Sequence, residues 1–180
     1  FQTMFRPRII PILLLKDKGI VKTIKFKRPN YIGDPINAVK LFNDMKADEL
    51  IFLDIEATKE NRSIDSNLVK KISNEAFMPI AVGGGIKDLE TATNILKSGA
   101  EKVIINTSFT SKCSIVSEIS KKFGRQSVVV SIDVKKGDKI STNNVRSIRP
   151  GYGLHPKYLD EVIGMRFTQD VSMGTAFSLD

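Results

Sequence analysis

An α/β fold of repeating strand–helix units, of the (β/α)8 TIM-barrel type and incomplete at about six units, is predicted by three features of the 180-residue sequence. Short apolar runs recur at Leu50–Asp54, Met78–Val82, Val103–Asn106 and Val128–Asp133, with steps of 28, 25 and 25 residues. They are too short for helices and apolar without alternation, the pattern of a parallel strand covered on both faces. Segments with helical periodicity lie between them, the rhythm of right-handed βα repeats. An open doubly wound sheet shares that rhythm. The barrel is preferred because polar residues end successive strands: Asp54, Gly83 to Gly85, Asn106-Thr107 and Asp133. In a barrel those ends converge on one mouth.

The elements follow in order. Ile9 to Leu15 reads as a first strand, and Lys22 to Arg28 alternates basic with other residues, as on a hairpin-like excursion. Asp34-Pro35 sets an N-cap with proline at the first helical position, and Ala38, Leu41, Phe42 and Met45 repeat behind it. Leu68, Val69, Ile72 and Ala76 mark the next helix. Asp88 opens another, with Ala92, Ile95 and Leu96 on one face and Gly99 as its stop. Ile115, Val116 and Ile119 mark the helix before Val128. Gly137 to Gly153 is polar; a short helix is expected from Pro156 to Ile163 and a short strand from Met165 to Thr168. All of residues 1–180 are read as a single, partial barrel domain, since eight units take about 250 residues. Its first and sixth strands are then expected to carry unpaired edges.

Composition narrows the function. With 41% hydrophobic and 27% charged residues the chain is an ordinary globular protein. The formal charge is +8, and residues 1–30 hold eight basic side chains against Asp17, a net +7, which suits acidic or phosphorylated ligands. Cys113 is the single cysteine and no leader-like segment opens the chain, so a reducing cytoplasm is expected. The longest apolar run, Ile9 to Leu15, falls far short of the roughly 20 residues needed to span a bilayer. Neither a membrane nor nucleic acid is an expected partner: the basic cluster suits phosphate ligands and has no aromatic interleaving.

Gly83-Gly84-Gly85 after a strand and before a helix lets backbone N–H groups approach an anion, with the helix N-terminus adding positive charge. The same glycines also suit a turn that needs positive φ. Asn106-Thr107 at the next strand end would share that phosphate, or else cap the following helix. Asp54 and Asp133 end apolar strands, where a carboxylate must be hydrogen-bonded or working. Asp54 could instead bind the backbone of the Ala57-Thr58 loop. His155 is the sole histidine, which excludes a histidine-based metal cluster, and it reads as a surface residue. Cys113 reads as a bystander thiol.

Several ordered motifs carry a family resemblance. They are Arg8-Ile-Ile-Pro11, Lys16-Asp17, Val21-Lys22, Gly33-Asp34-Pro35, residues 47–55, Val82-Gly-Gly-Gly-Ile86, Gly99-Ala-Glu-Lys102, Ile105-Asn-Thr107 and residues 127–133. In order and spacing, over about residues 6 to 136, they resemble the cyclase subunit of imidazole glycerol phosphate synthase. The resemblance implies a barrel that pairs with a glutaminase subunit and uses its ammonia on a phosphorylated substrate. It implies Asp133 as a catalytic residue and Gly84, Gly85, Asn106 and Thr107 as a phosphate site; Asp54, a candidate general acid or base by its place at a strand end, is grouped with the substrate-binding residues. Lys22 matches a mobile-loop lysine, and Arg8, Glu49 and Lys102 match three charged residues ringing the ammonia entrance. The first-strand catalytic aspartate is replaced by Leu14, which cannot transfer protons.

Leu13-Leu-Leu-Lys-Asp17 and Lys25-Phe-Lys-Arg-Pro-Asn30 resemble a branch of that family associated with amidination of surface-polysaccharide sugars. That branch implies a phosphorylated or nucleotide-linked sugar substrate and a separate sugar amidotransferase as further partner. The resemblance fades past Lys136, where Thr168 and Gly174-Thr175 only loosely echo a second phosphate loop. The expected function is a cyclase-like, lyase-type subunit of a glutamine-dependent amidotransferase without cofactor or metal. A true histidine-biosynthesis cyclase is the alternative. A non-catalytic phosphate-binding scaffold or truncated remnant is a third.

Overall fold

The computed structural model describes residues 8–24, 27–106, 114–131, 136–141 and 159–170. They fall into two compact units, residues 8–130 and the described residues from Ser131 onward.

Among the described residues of the first unit, seven strands form one sheet in the order β3 (Lys27–Gly33), β2 (Gly19–Ile24), β1 (Ile12–Lys16), β4 (Leu50–Asp54), β5 (Ile80–Gly83), β6 (Lys102–Ile105) and β7 (Val128–Val130). Five are parallel: β1, β4, β5, β6 and β7. Each adjoins the parallel strand before it in sequence, as consecutive right-handed βα units require. The helices are α1 (Pro35–Asp44), α2 (Ser66–Glu75), α3 (Leu89–Lys97) and α4 (Ser114–Phe123). Phe52, Leu50, Val82, Val103 and Ile105 of the sheet form one core with Val39, Val69, Ile72, Ile95, Ile115 and Ile119 of the helices. This is the expected α/β class, a partial (β/α)8 barrel.

Three helices start on aspartate caps, of which the sequence marks Asp34 and Asp88 but not Asp65. Asp34, with Pro35 behind it, accepts from the N–H groups of Ile36 and Asn37; Asp65 accepts from Asn67 and Asp88 from Thr91. Gly99, at φ +107°, follows α3, and a Cβ there would lie 2.3 Å from Ser73 Oγ. One helix face differs from expectation. Leu41 and Met45 of the α1 region are 56% and 66% exposed, whereas Val39 is fully buried and Phe42 packs against the core. The i, i+3, i+4 pattern holds along α1, rotated about its axis by roughly one residue.

β2 (Gly19–Ile24) and β3 (Lys27–Gly33) form an antiparallel hairpin, the excursion expected around Lys22. β2 also pairs antiparallel with β1 through a two-residue turn in which Asp17 (φ 50°) and Lys18 (φ 65°) are both left-handed. Turns of this hand match the twist of the flanking strands. The expectation of an unpaired edge on β1 is therefore corrected: Leu14, Leu15 and Lys16 pair with Val21, Ile20 and Gly19. Gly19 packs closely against the exposed Tyr31 ring, which a Cβ at that position would displace.

The second unit holds the short helix α5 (Leu159–Val162) and an isolated antiparallel bridge between Lys139 and Arg166. Around the bridge Gly137 N donates to Phe167 O (2.8 Å), Ile140 N to Met165 O (2.7 Å) and Phe167 N to Asp138 O (2.9 Å). Ile140, Val162 and Phe167 are buried. The strand expected over Met165–Thr168 is thus corrected to an antiparallel pairing with residues 137–140, outside the parallel sheet.

Candidate functional site

Parallel strands give the first unit two chemically different ends. At the N-terminal end, Arg8 precedes β1, Glu49 immediately precedes β4 and Lys102 opens β6. Arg8 Nη2 lies 2.8 Å from Glu49 Oε2, and Lys102 Nζ lies 2.5 Å from Glu49 Oε1. Glu49 is 4% exposed, a carboxylate that burial would penalise heavily without its two cations. The structure therefore brings together all three residues placed at the ammonia entrance by sequence resemblance. Both carboxylate oxygens are used, and the cluster carries one net positive charge.

At the C-terminal end Asp54 finishes β4 with its side chain 10% exposed. Its Oδ1 accepts from the N–H groups of Glu56 (3.1 Å) and Ala57 (3.0 Å), which is the loop-binding alternative read from sequence. Arg62 forks onto the same carboxylate, with Nη1 2.5 Å from Oδ2 and Nη2 3.4 Å from Oδ1. Its Nε donates to Glu60 at 2.6 Å. The Asp54 bond is the largest cause holding the Arg62 guanidinium above its ordinary pKa. Nearby, Lys16 pairs with Glu56 (3.0 Å) and Lys18 with Asp65 (3.1 Å), tying the β1–β2 turn to the loop after β4. The Glu56 hydrogen bond raises the Lys16 pKa.

Gly84 (φ +130°) and Gly85 (φ +63°) follow β5 in left-handed backbone that favours glycine. A Cβ on Gly85 would sit 1.8 Å from the Arg62 carbonyl oxygen, and one on Gly84 would sit 2.8 Å from Asp54 Cβ. Close approach of backbone therefore requires both glycines. Gly83 pairs with Ile104 in the parallel register, so Gly84 and Gly85 lie just past the end of β5, beside Asn106 just past the end of β6. Lys22 lies on β2 opposite Asn30 with its side chain exposed. Leu14 lies near the C-terminal end of β1, opposite Leu53.

Thr107, Asp133, Cys113 and His155 lie outside the described residues. Arg62 went unread in the sequence. Its signal is an arginine eight residues after a strand-ending aspartate, a spacing that a short loop can close on itself. Among the described residues no helix is long and apolar enough to cross a membrane. None of their His, Cys, Asp and Glu side chains gather in a group of three or more that could hold a metal ion.

Comparison with known proteins assigns the fold to a family. A family model described as "Histidine biosynthesis protein" matches residues 8–149, and the chain belongs to that family. It is 54% identical over 134 residues to a Pseudomonas aeruginosa protein named "Putative imidazole glycerol phosphate synthase subunit hisF2", covering 74% of this chain and 53% of that protein. It is 43% identical over 134 residues to the imidazole glycerol phosphate synthase subunit HisF of Alkaliphilus metalliredigens, covering 74% and 53%. It is 42% identical over 149 residues to the same subunit of Methanococcus vannielii, covering 83% and 54%. The chain thus spans about half the length of these relatives. A second model, described as "SAF domain", matches residues 125–180.

Proposed function

We propose that residues 8–130 act as the HisF-like part of a glutamine-dependent amidotransferase, taking ammonia from a glutaminase partner at the N-terminal end of the strands. The observation that carries this reading is the Arg8–Glu49–Lys102 cluster, three charges drawn from three segments onto one buried carboxylate. A buried carboxylate held by two partly exposed cations at a strand end suits a polar passage better than a packing role, for which apolar residues serve as well. At the opposite end the Gly84–Gly85 turn and Asn106, with Thr107, bind a phosphate group of the acceptor, and Lys22 closes over it. Asp133 is the acid–base residue.

Leu14 favours an acceptor other than the cyclase substrate. The family's acid–base chemistry takes two carboxylates, and one general acid or base contributes roughly 10²–10⁴ in rate. Amidination of a surface sugar by a separate sugar amidotransferase, fed with ammonia through this subunit, fits a barrel without that carboxylate. The test uses free ammonia and the phosphoribulosyl substrate of the cyclase. Wild-type turnover is expected to be low, and Leu14→Asp should raise it by about two orders of magnitude. A wild type that already turns over fast, with Leu14→Asp making no difference, supports the plain histidine-biosynthesis cyclase instead.

The described residues from Ser131 onward belong, in this reading, to a module of SAF type, which overlaps the end of the family match at residue 149. Support comes from the match over residues 125–180, the boundary between compact units at Ser131, and the buried Ile140, Val162 and Phe167 around an antiparallel bridge.

A further inference from the structure

We infer that Arg62 is a positioning residue for the glycine turn, an assignment that rests on the phosphate reading above. The turn is not free to set its own shape. Ile64 N donates to Gly84 O at 3.0 Å, and the Arg62 carbonyl oxygen occupies the space a Gly85 side chain would need. The backbone of residues 62–64 is thus the surface against which Gly84 and Gly85 are moulded. What fixes that backbone is the Arg62 side chain, which turns back onto Asp54 through both Nη atoms.

Asp54 ends β4, the strand next to β5, from which the glycine turn emerges. The ion pair therefore closes an eight-residue loop between the strand end and the stretch that covers the turn. Arg62 N to Ala57 O (2.9 Å) and Glu60 N to Glu56 O (2.9 Å) complete the loop internally. Glu56 of that loop also holds Lys16, at the root of the hairpin that carries Lys22. One guanidinium thus sets the place of the glycine turn and, through the same loop, of the hairpin root. Its charge matters as well: an Asp54 carboxylate without Arg62 would repel a phosphate at the neighbouring strand end.

The test measures the Kd for inorganic phosphate on the full chain, for wild type, Arg62→Ala and Arg62→Lys, with amide hydrogen exchange at Val82 and Ile104 reporting whether the sheet is intact. Arg62→Ala is expected to weaken phosphate binding about tenfold, the scale of one lost charged hydrogen bond, with sheet protection unchanged. Added methylguanidinium should restore part of the affinity, and Arg62→Lys should fall between the two. Unchanged affinity in Arg62→Ala overturns the assignment, as does a weakened affinity that methylguanidinium leaves untouched. Should Arg62→Ala lose sheet protection, Arg62→Lys decides, a few-fold loss supporting the role and wild-type affinity overturning it. A wild type that binds no phosphate overturns the phosphate reading, and this one with it, before any variant is compared.

Discussion

Asp65 shows how one side chain couples local structure to pH. It caps α2 through Asn67 N–H and holds Lys18 at 3.1 Å, and the Lys18 hydrogen bond is the first cause of its lowered pKa. A carboxyl whose folded pKa lies below its unfolded value adds stability that is fully present above the unfolded value. That stability is lost as pH falls through the folded one. Asp65→Asn keeps the capping oxygen but not the titration. Urea unfolding at a series of pH values should therefore show wild type losing more stability than Asp65→Asn between about pH 5 and pH 2. Equal losses would mean that the Lys18 contact, with Lys18 itself 73% exposed, does not persist in solution. At this scale the sequence is legible where one residue type has one use. Asp34-Pro35, Asp88 and Gly99 announce caps and stops because few other residues can do those jobs. Arg62 is silent because its partner is chosen by a loop conformation, and no periodicity records that.

The helices show what periodicity can and cannot settle. In α2, Val69 and Ile72 are buried as the pattern requires, while in the α1 region Leu41 and Met45 face solvent although they share the apolar spacing. Spacing fixes a stripe's period, but which of two overlapping stripes turns inward depends on where the strand and loop before the helix deliver its first turn. Ile72→Ala is expected to cost about 2–5 kcal/mol, whereas Leu41→Gln should stay within about 0.5 kcal/mol. Chemical denaturation of the two variants checks this, and a Leu41→Gln cost comparable to that of Ile72→Ala would place the core face of α1 elsewhere. The strands were easier to read because burial on both faces leaves only one composition that works. Leu50–Asp54 appears with the same bounds in sequence and structure. The pairing of β2 with β1 was not legible, since a left-handed Asp17-Lys18 turn carries no Asn-Gly signal.

Across the whole molecule, the βα rhythm stops where a second unit begins. The family match runs to residue 149, past the boundary between compact units at Ser131, and short apolar segments such as Met165–Thr168 carry no mark of the sheet they join. If the two units fold separately, Phe167→Ala should lower the stability of the second without moving that of the first. Hydrogen exchange on the full chain would then show protection lost at Gly137, Ile140 and Phe167 and retained at Val82 and Val103. Loss at all five positions together would make the chain one cooperative domain.

The central claim, that ammonia enters past the Arg8–Glu49–Lys102 cluster, is tested most directly by the ratio of glutamine-driven to ammonia-driven turnover. The measurement uses the full chain assembled with a glutaminase subunit, in the Leu14→Asp background that supplies a measurable reaction. Lys102→Ala removes the cation 2.5 Å from Glu49 at the N-terminal end of the sheet, the end opposite the Gly84–Gly85 turn. The expected result is a glutamine-driven rate reduced about tenfold or more, with the ammonia-driven rate unchanged, because free ammonia reaches the acceptor from the open mouth. Equal loss of both rates, or loss of neither, would contradict the claim.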